Sequence, residues 1–139
     1  MKETSTENLA AARSLIERSE TAGADLLVLP ECIIARKLGM PDWGQKHAEP
    51  LDGPFVSGLR EATRGRRVTV VCTVQAKIAN ESRYANDLLV IQNGELRLTY
   101  QKIHLYDAFR GKESSYAAPG DVLPQVLQIG PFKVGFLTC

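Results

Sequence analysis

The chain is poor in several things that mark whole classes of protein. It has only three cysteines in 139 residues, Cys32, Cys72 and Cys139, odd in number and far apart. None forms a C-x-x-C pair, so neither a metal knuckle nor a disulfide framework is indicated, and a reducing, cytoplasmic setting fits best. It lacks an excess of either charge: 17 Lys and Arg face 16 Asp and Glu, a net charge of +1. That balance argues against nucleic acid or an acidic membrane surface as a partner. Arg64, Arg66 and Arg67 do cluster, but no aromatic residues interleave them, and they read as a solvated helix end. No apolar run approaches the length of a membrane span. Met1 to Glu7 is polar with no apolar stretch behind it, so no secretory signal is expected. Repeats, low-complexity tracts and linkers are absent as well.

What is present is an ordinary globular composition, 44% hydrophobic and 24% charged. The length suffices for one domain with a core, spanning residues 1–139. Thr4 and Glu7 have capping-box spacing, and Leu9, Ala12, Leu15, Ile16 and Ser19 follow as one stripe at helical period. A helix from about Ser5 to Ala22, stopped by Gly23, is expected. Leu26 to Leu29 reads as a short buried strand ended by Pro30. Residues 32–52 read as irregular. Asp52-Gly53-Pro54 opens a second helix, with Phe55, Leu59 and Ala62 on one face and Gly65 at its end. Arg67 to Val74 is rich in β-branched residues and reads as a buried strand. Asp87–Gln92 and Glu95–Gln101 flank Asn93-Gly94, a strong hairpin signal. In the second arm Leu96, Leu98 and Tyr100 alternate with polar residues, so one face is wet. A long loop over 103–124 and a last strand pair, Val126–Ile129 and Phe132–Thr138, complete an α/β layered pattern.

In this reading Glu31, Lys102 and Cys139 each lie just past the C-terminal end of a strand. Sites in α/β folds are commonly built on that edge. Convergence of the three would supply a base, a cation and a thiol. A free thiol has a pKa of about 8.5, so a carboxylate that takes its proton during attack makes it a nucleophile at neutral pH. A buried lysine stabilises the oxyanion of a tetrahedral intermediate. Taken singly, each residue has a plainer reading: a solvated carboxylate, a surface lysine and a small buried hydrophobe.

The local sequences are more specific than the spacing. LLVLPE at 26–31, YQKIHLYD at 100–107 and KVGFLTC at 133–139 resemble, in order, the glutamate, lysine and cysteine motifs of the nitrilase superfamily of carbon–nitrogen hydrolases. The resemblance covers essentially the whole chain. It implies an αββα sandwich and hydrolysis of a non-peptide C–N bond with no metal or organic cofactor. Glu31 would be the general base, Lys102 the oxyanion stabiliser and Cys139 the nucleophile that forms a thioester. Glu113, in the segment Lys112-Glu113-Ser114, matches a second glutamate of the family that positions the lysine and the substrate; its plainer reading is an exposed loop carboxylate. HLYDAF after the lysine looks most like the branch acting on deaminated glutathione and ω-amides. Asn86 matches a family asparagine and reads as structural, His104 and Tyr106 as structural or pocket-shaping residues, and Trp43 as a candidate pocket wall.

Two departures from the family shape the expectation. The family has a strand before the first helix, which is expected to be missing or replaced here, and the half of the sandwich beyond the cysteine is expected to be lacking too. With Cys139 as the last residue of the sequence, a terminal carboxylate is expected where the family has an oxyanion-hole N–H. The expected fold is thus a partial αββα sandwich that is poorly stable alone and catalytically inactive or nearly so. The implied partner is a small-molecule amide, and the parent enzyme is expected to be a homo-oligomer. The alternative is a non-catalytic interaction module that keeps the half-fold.

Overall fold

The computed structural model describes residues 1–109 and 111–139; Arg110, within the loop expected over 103–124, lies outside the described residues. Helix α1 (Ser5–Thr21) begins where the capping signal places it, with the Glu7 N–H donating to Thr4 Oγ1 at 3.3 Å. Its inner face differs from the expected stripe. Asn8 is buried with Ala12 and Ile16, while Leu15 is 36% exposed. Hydrogen bonding lets Asn8 occupy a buried position: its side chain exchanges bonds with the Lys2 backbone and donates to the Ile34 carbonyl at 3.1 Å.

Strand β1 (Leu26–Val28) is not the buried strand expected for 26–29. Leu26 and Val28 are 36% and 66% exposed, and among the described residues it pairs only with the next strand in the sheet. It is an edge strand, so one face and one backbone row remain open. The irregular segment that follows holds a single short helix, α2 (Trp43–Lys46). Helix α3 (Pro54–Thr63) starts on Pro54, and the Glu49 carboxylate accepts its Phe55 N–H at 2.9 Å.

The sheet is built on β2 (Thr69–Lys77), β3 (Tyr84–Gln92) and β4 (Glu95–Gln101), joined to β1 in the order β1-β2-β3-β4. β1 runs parallel to β2, and the other two pairings are antiparallel. The C-terminal ends of β1, β2 and β4 therefore share one edge with the start of β3. Asn93 and Gly94 both have positive φ, 49° and 79°, the geometry a two-residue type I′ turn requires. Both β2 and β3 run further than expected, through Gln75–Lys77 and Tyr84–Asn86, and Gln75 pairs with Asn86.

Period-two alternation divides the sheet into two faces. Val70, Cys72, Val74, Leu89 and Ile91 face α1 and α3 and form the main core with Ile16, Phe55 and Leu59. Val71, Leu88, Val90, Leu98 and Tyr100 face the other way, against Ile129 and Phe136. The expected loop over 103–124 is not structureless. It contains a 3₁₀ turn (Glu113–Ser115) and strand β5 (Ala117–Ala118), which pairs parallel with β3. The last strand pair is shorter than expected: β6 (Leu127–Ile129) and β7 (Phe132–Val134) form a separate two-stranded sheet. Cys139 consequently ends an irregular segment, 135–139, and does not directly follow a strand. Among the described residues no helix is long and apolar enough to cross a membrane.

Candidate active site

Glu31 and Lys102 meet because β1 and β4 run the same way and end at the same edge. The backbone after Glu31 turns sharply: Cys32 has a φ of 56°, in the left-handed region that a non-glycine residue seldom enters. Polar side chains of β2 hold that turn. Thr73 Oγ1 accepts the Cys32 N–H at 2.6 Å, Gln75 Oε1 accepts the Ile34 N–H at 3.1 Å, and Gln75 Nε2 donates to the carbonyls of Cys32 and Ala35. A strained turn held by so many specific bonds fixes the direction of Glu31.

Lys102 is fixed as tightly. Its N–H donates to the Asn86 carbonyl at 2.9 Å, and its own carbonyl accepts from Gly120 at 2.9 Å. The side chain is 2% exposed, and its ammonium lies 2.9 Å from both Glu31 Oε1 and Glu113 Oε2. A second contact reaches Glu113 Oε1 at 3.3 Å. Burial opposes its charge, but the hydrogen bonds it donates to Glu113 and Glu31 and their negative charges outweigh it, and its pKa lies above the ordinary lysine value. Lys102 is thus a held cation and cannot serve as a base near neutral pH.

Glu113 is not the exposed loop carboxylate of its plainer reading. Its side chain is 13% exposed, and Oε2 also accepts the Tyr106 N–H at 2.7 Å. Burial pushes its carboxyl pKa up, yet the Tyr106, Lys102 and Asn86 hydrogen bonds together bring it below the ordinary value. Asp107 braces the turn by accepting both the N–H and the hydroxyl of Ser114, at 3.0 and 2.6 Å. Asn86, which reads as structural in the sequence, is part of the cluster: Nδ2 donates to Glu31 Oε1 at 2.8 Å and Glu113 Oε1 at 3.2 Å. The sequence carries no local signal for this role, because the two acceptors come from distant parts of the chain.

Glu31, Lys102, Glu113 and Cys139 line one cavity of about 640 Å³. Trp43 and Tyr106 also line it, as does Arg36, whereas His104 is exposed and lies off it. The three thiols are not equivalent. Cys139 is exposed; Cys32 lines the cavity but burial, followed by the Glu31 charge, pushes its thiol up to about 12; Cys72 is buried in the core and pushed up to about 12 by burial alone. Of the three, Cys139 is the exposed thiol, and it lines the same cavity as the Glu31 carboxylate and the Lys102 ammonium.

Comparison with known proteins gives the same class. Over residues 1–139 the chain matches the family model described as carbon-nitrogen hydrolase. It is 32% identical over 132 residues to deaminated glutathione amidase of Escherichia coli O157:H7, a match covering 95% of this chain and 50% of the relative. It is 35% identical over 135 residues to a hydrolase of Mycobacterium tuberculosis, covering 95% of this chain and 46% of that protein. In fold it resembles a CN-hydrolase superfamily protein from Xanthomonas campestris, solved with an arsenic adduct in its active site (TM-score 0.79, 23% identity, 96% of this chain and 47% of the other). It equally resembles a point mutant of an amidase from Nesterenkonia sp. AN1, in which acrylamide has added to the active-site cysteine (TM-score 0.79, 24% identity, 100% of this chain and 55% of the other). The chain spans about half the length of the curated relatives it matches. With all of residues 1–139 matched by the family model, the chain belongs to the carbon-nitrogen hydrolase family.

Proposed function

We propose that the chain carries the reacting groups for hydrolysis of a C–N bond in a small amide. The observation that carries this reading is the buried Lys102 ammonium, held 2.9 Å from Glu31 and from Glu113 in the cavity that Cys139 also lines. In the reaction Cys139 Sγ attacks the amide carbonyl carbon while its proton passes to Glu31. The carbonyl π electrons move to oxygen, and Lys102 stabilises the oxyanion. An ammonium has three N–H donors. The two short bonds, to Glu31 Oε1 and Glu113 Oε2, use two, and the oxyanion takes the third in place of its longer contact to Glu113 Oε1 at 3.3 Å. The intermediate collapses, the C–N bond breaks, and the amine leaves with the proton from Glu31. Glu31 then takes a proton from water, whose oxygen attacks the thioester; the C–S bond breaks, the acid is released, and the Cys139 thiolate recovers the proton from Glu31. Glu113 positions Lys102 throughout.

Deaminated glutathione and ω-amides are the substrates this reading favours, on the strength of the amidase relative and the HLYDAF segment. The same reading holds that the chain by itself turns over little. Val28, Phe132 and Leu137 are 66%, 69% and 79% exposed, and an apolar surface left open to water neither closes the site nor stabilises the fold. The test is ammonia release from small ω-amides under single-turnover conditions. Release should fall to background in Cys139→Ala and in Glu31→Gln; retained release in Cys139→Ala contradicts the proposal.

A further inference from the structure

Asn86 is fully buried, yet its side chain is poorly served as a structural group. Nδ2 donates to both carboxylates of the cluster, while Oδ1 is buried with no hydrogen-bond partner. A buried acceptor without a donor is destabilising, so packing alone does not account for the residue. Turning the amide over would give Oδ1 no relief, because it would then face two carboxylate oxygens. The orientation is therefore set by Glu31 and Glu113. The backbone ties the same residue to the cation, since the Asn86 carbonyl accepts the Lys102 N–H.

The distribution of these bonds is unequal between the two oxygens of Glu31. Oε1 accepts from Asn86 Nδ2 at 2.8 Å and from Lys102 Nζ at 2.9 Å. Among the described residues Oε2 accepts none of the hydrogen bonds, and the Glu31 side chain remains 39% exposed in the cavity. The two donors drain negative charge from Oε1 and lock the carboxylate against rotation, leaving Oε2 as the oxygen with free lone pairs. We propose that Asn86 is a positioning residue that makes Glu31 Oε2 the proton-accepting atom. This rests on the catalytic reading above and adds to it a division of labour within one carboxylate. Lys102 alone would not achieve it, because a single donor to Oε1 leaves the carboxylate free to swing about that bond.

The test is the rate of Cys139 alkylation by iodoacetamide across pH 5 to 9, in the unaltered chain, in Asn86→Leu and Asn86→Asp, and in Glu31→Gln. Cys72 serves as an internal reporter of folding, because it is reached only when the core opens. The catalytic reading requires Glu31→Gln to slow alkylation near neutral pH; if it does not, that reading fails and the inference falls with it. Given a Glu31-dependent rate, Asn86→Leu should lower it about tenfold or more with Cys72 still unlabelled. Asn86→Asp keeps the shape and removes the donor, so its rate should fall too, with the midpoint of the profile displaced to higher pH by the added carboxyl. An unchanged Glu31-dependent rate and midpoint in either variant overturns the inference while leaving the catalytic reading intact. Should Asn86→Leu expose Cys72, Asn86→Asp decides at the alkaline end, where its carboxyl is ionised and has no proton to donate to Glu31.

Discussion

Lys102 and Glu31 stand 71 positions apart in the sequence and 2.9 Å apart in the structure. The ammonium is almost wholly buried, and among the described residues its charge is balanced by carboxylates brought from either side, Glu31 from the end of β1 and Glu113 from the 3₁₀ turn. Removing it leaves two like charges facing each other without a counter-ion. Lys102→Met is expected to destabilise the fold by about 2–3 kcal/mol, below the usual cost for a fully buried pair because Glu31 is partly solvated. Adding Glu113→Gln should recover part of that loss. Urea titration of the single and double variants checks both expectations; equal stability of Lys102→Met and the unaltered chain would show that the cluster is not formed.

The pH dependence of stability should contain two contributions of opposite sign. Burial raises the carboxyl of Asp87 from 3.8 to about 6. A folded pKa above the unfolded value means that the penalty is absent in acid, grows as pH rises through the interval between these values, and is complete above it. Asp87→Asn is therefore expected to stabilise the fold by at most about 3 kcal/mol near pH 7.5, and to change little at about pH 3.5. Glu113 acts the other way. Its folded pKa is lowered, so its contribution is full above the ordinary carboxylate value and is lost as pH falls through the folded pKa. Glu113→Gln should flatten the acid side of the stability profile. A pH-independent effect of Asp87→Asn would contradict the first expectation, and an unaltered acid slope in Glu113→Gln the second.

Thiol labelling should separate the cysteines. Cys139 is exposed, whereas Cys32 and Cys72 are both held near 12 by burial. Brief iodoacetamide treatment at neutral pH should place one label per chain, on Cys139. Peptide mapping reads this directly, and preferential labelling of Cys32 would assign the cavity's reactive thiol elsewhere.

Gly120 allows the 113–120 segment to lie against the end of β4. A Cβ there would stand 2.5 Å from the Gln101 carbonyl oxygen and 2.8 Å from the Gln101 Cβ. Gly120→Ala should push this segment off the strand, cost about 1–3 kcal/mol and loosen Glu113 from Lys102. Unchanged stability, with the Glu113 effect on acid unfolding also retained, would show that the segment is not held there.

The sequence made the regular elements legible where pattern and turn chemistry agree. Thr4 and Glu7 marked the start of α1, Pro54 that of α3, and Asn93-Gly94 the hairpin, and all stand there in the structure. It misled where polar residues lie in the sheet. Gln75 and Asn86 are not among the β-branched and aromatic residues that mark strands, so β2 and β3 read too short, yet these residues pair with each other, Gln75 holding the turn after Glu31 and Asn86 its carboxylate. β1 read as buried because its apolar run says nothing of how many neighbours it has. Glu31, Lys102, Glu113 and Cys139 stand out in the sequence through their flanking motifs, and the fold brings all four to the lining of one cavity. The Asn86 role was not, because positions 31 and 113 approach it only once the strands and the 3₁₀ turn are in place.

The most direct test of the account is to identify the atom that takes the acyl group. The chain is mixed with a small activated acyl donor, such as a p-nitrophenyl ester, quenched in acid and mapped by mass spectrometry. The account predicts one acyl group as a thioester on Cys139, absent from Cys139→Ala and lost more slowly in Glu31→Gln, where no carboxylate activates water. Acylation of Cys32 or of Lys102 in place of Cys139, or loss of the thioester at the same rate without the Glu31 carboxylate, would contradict it.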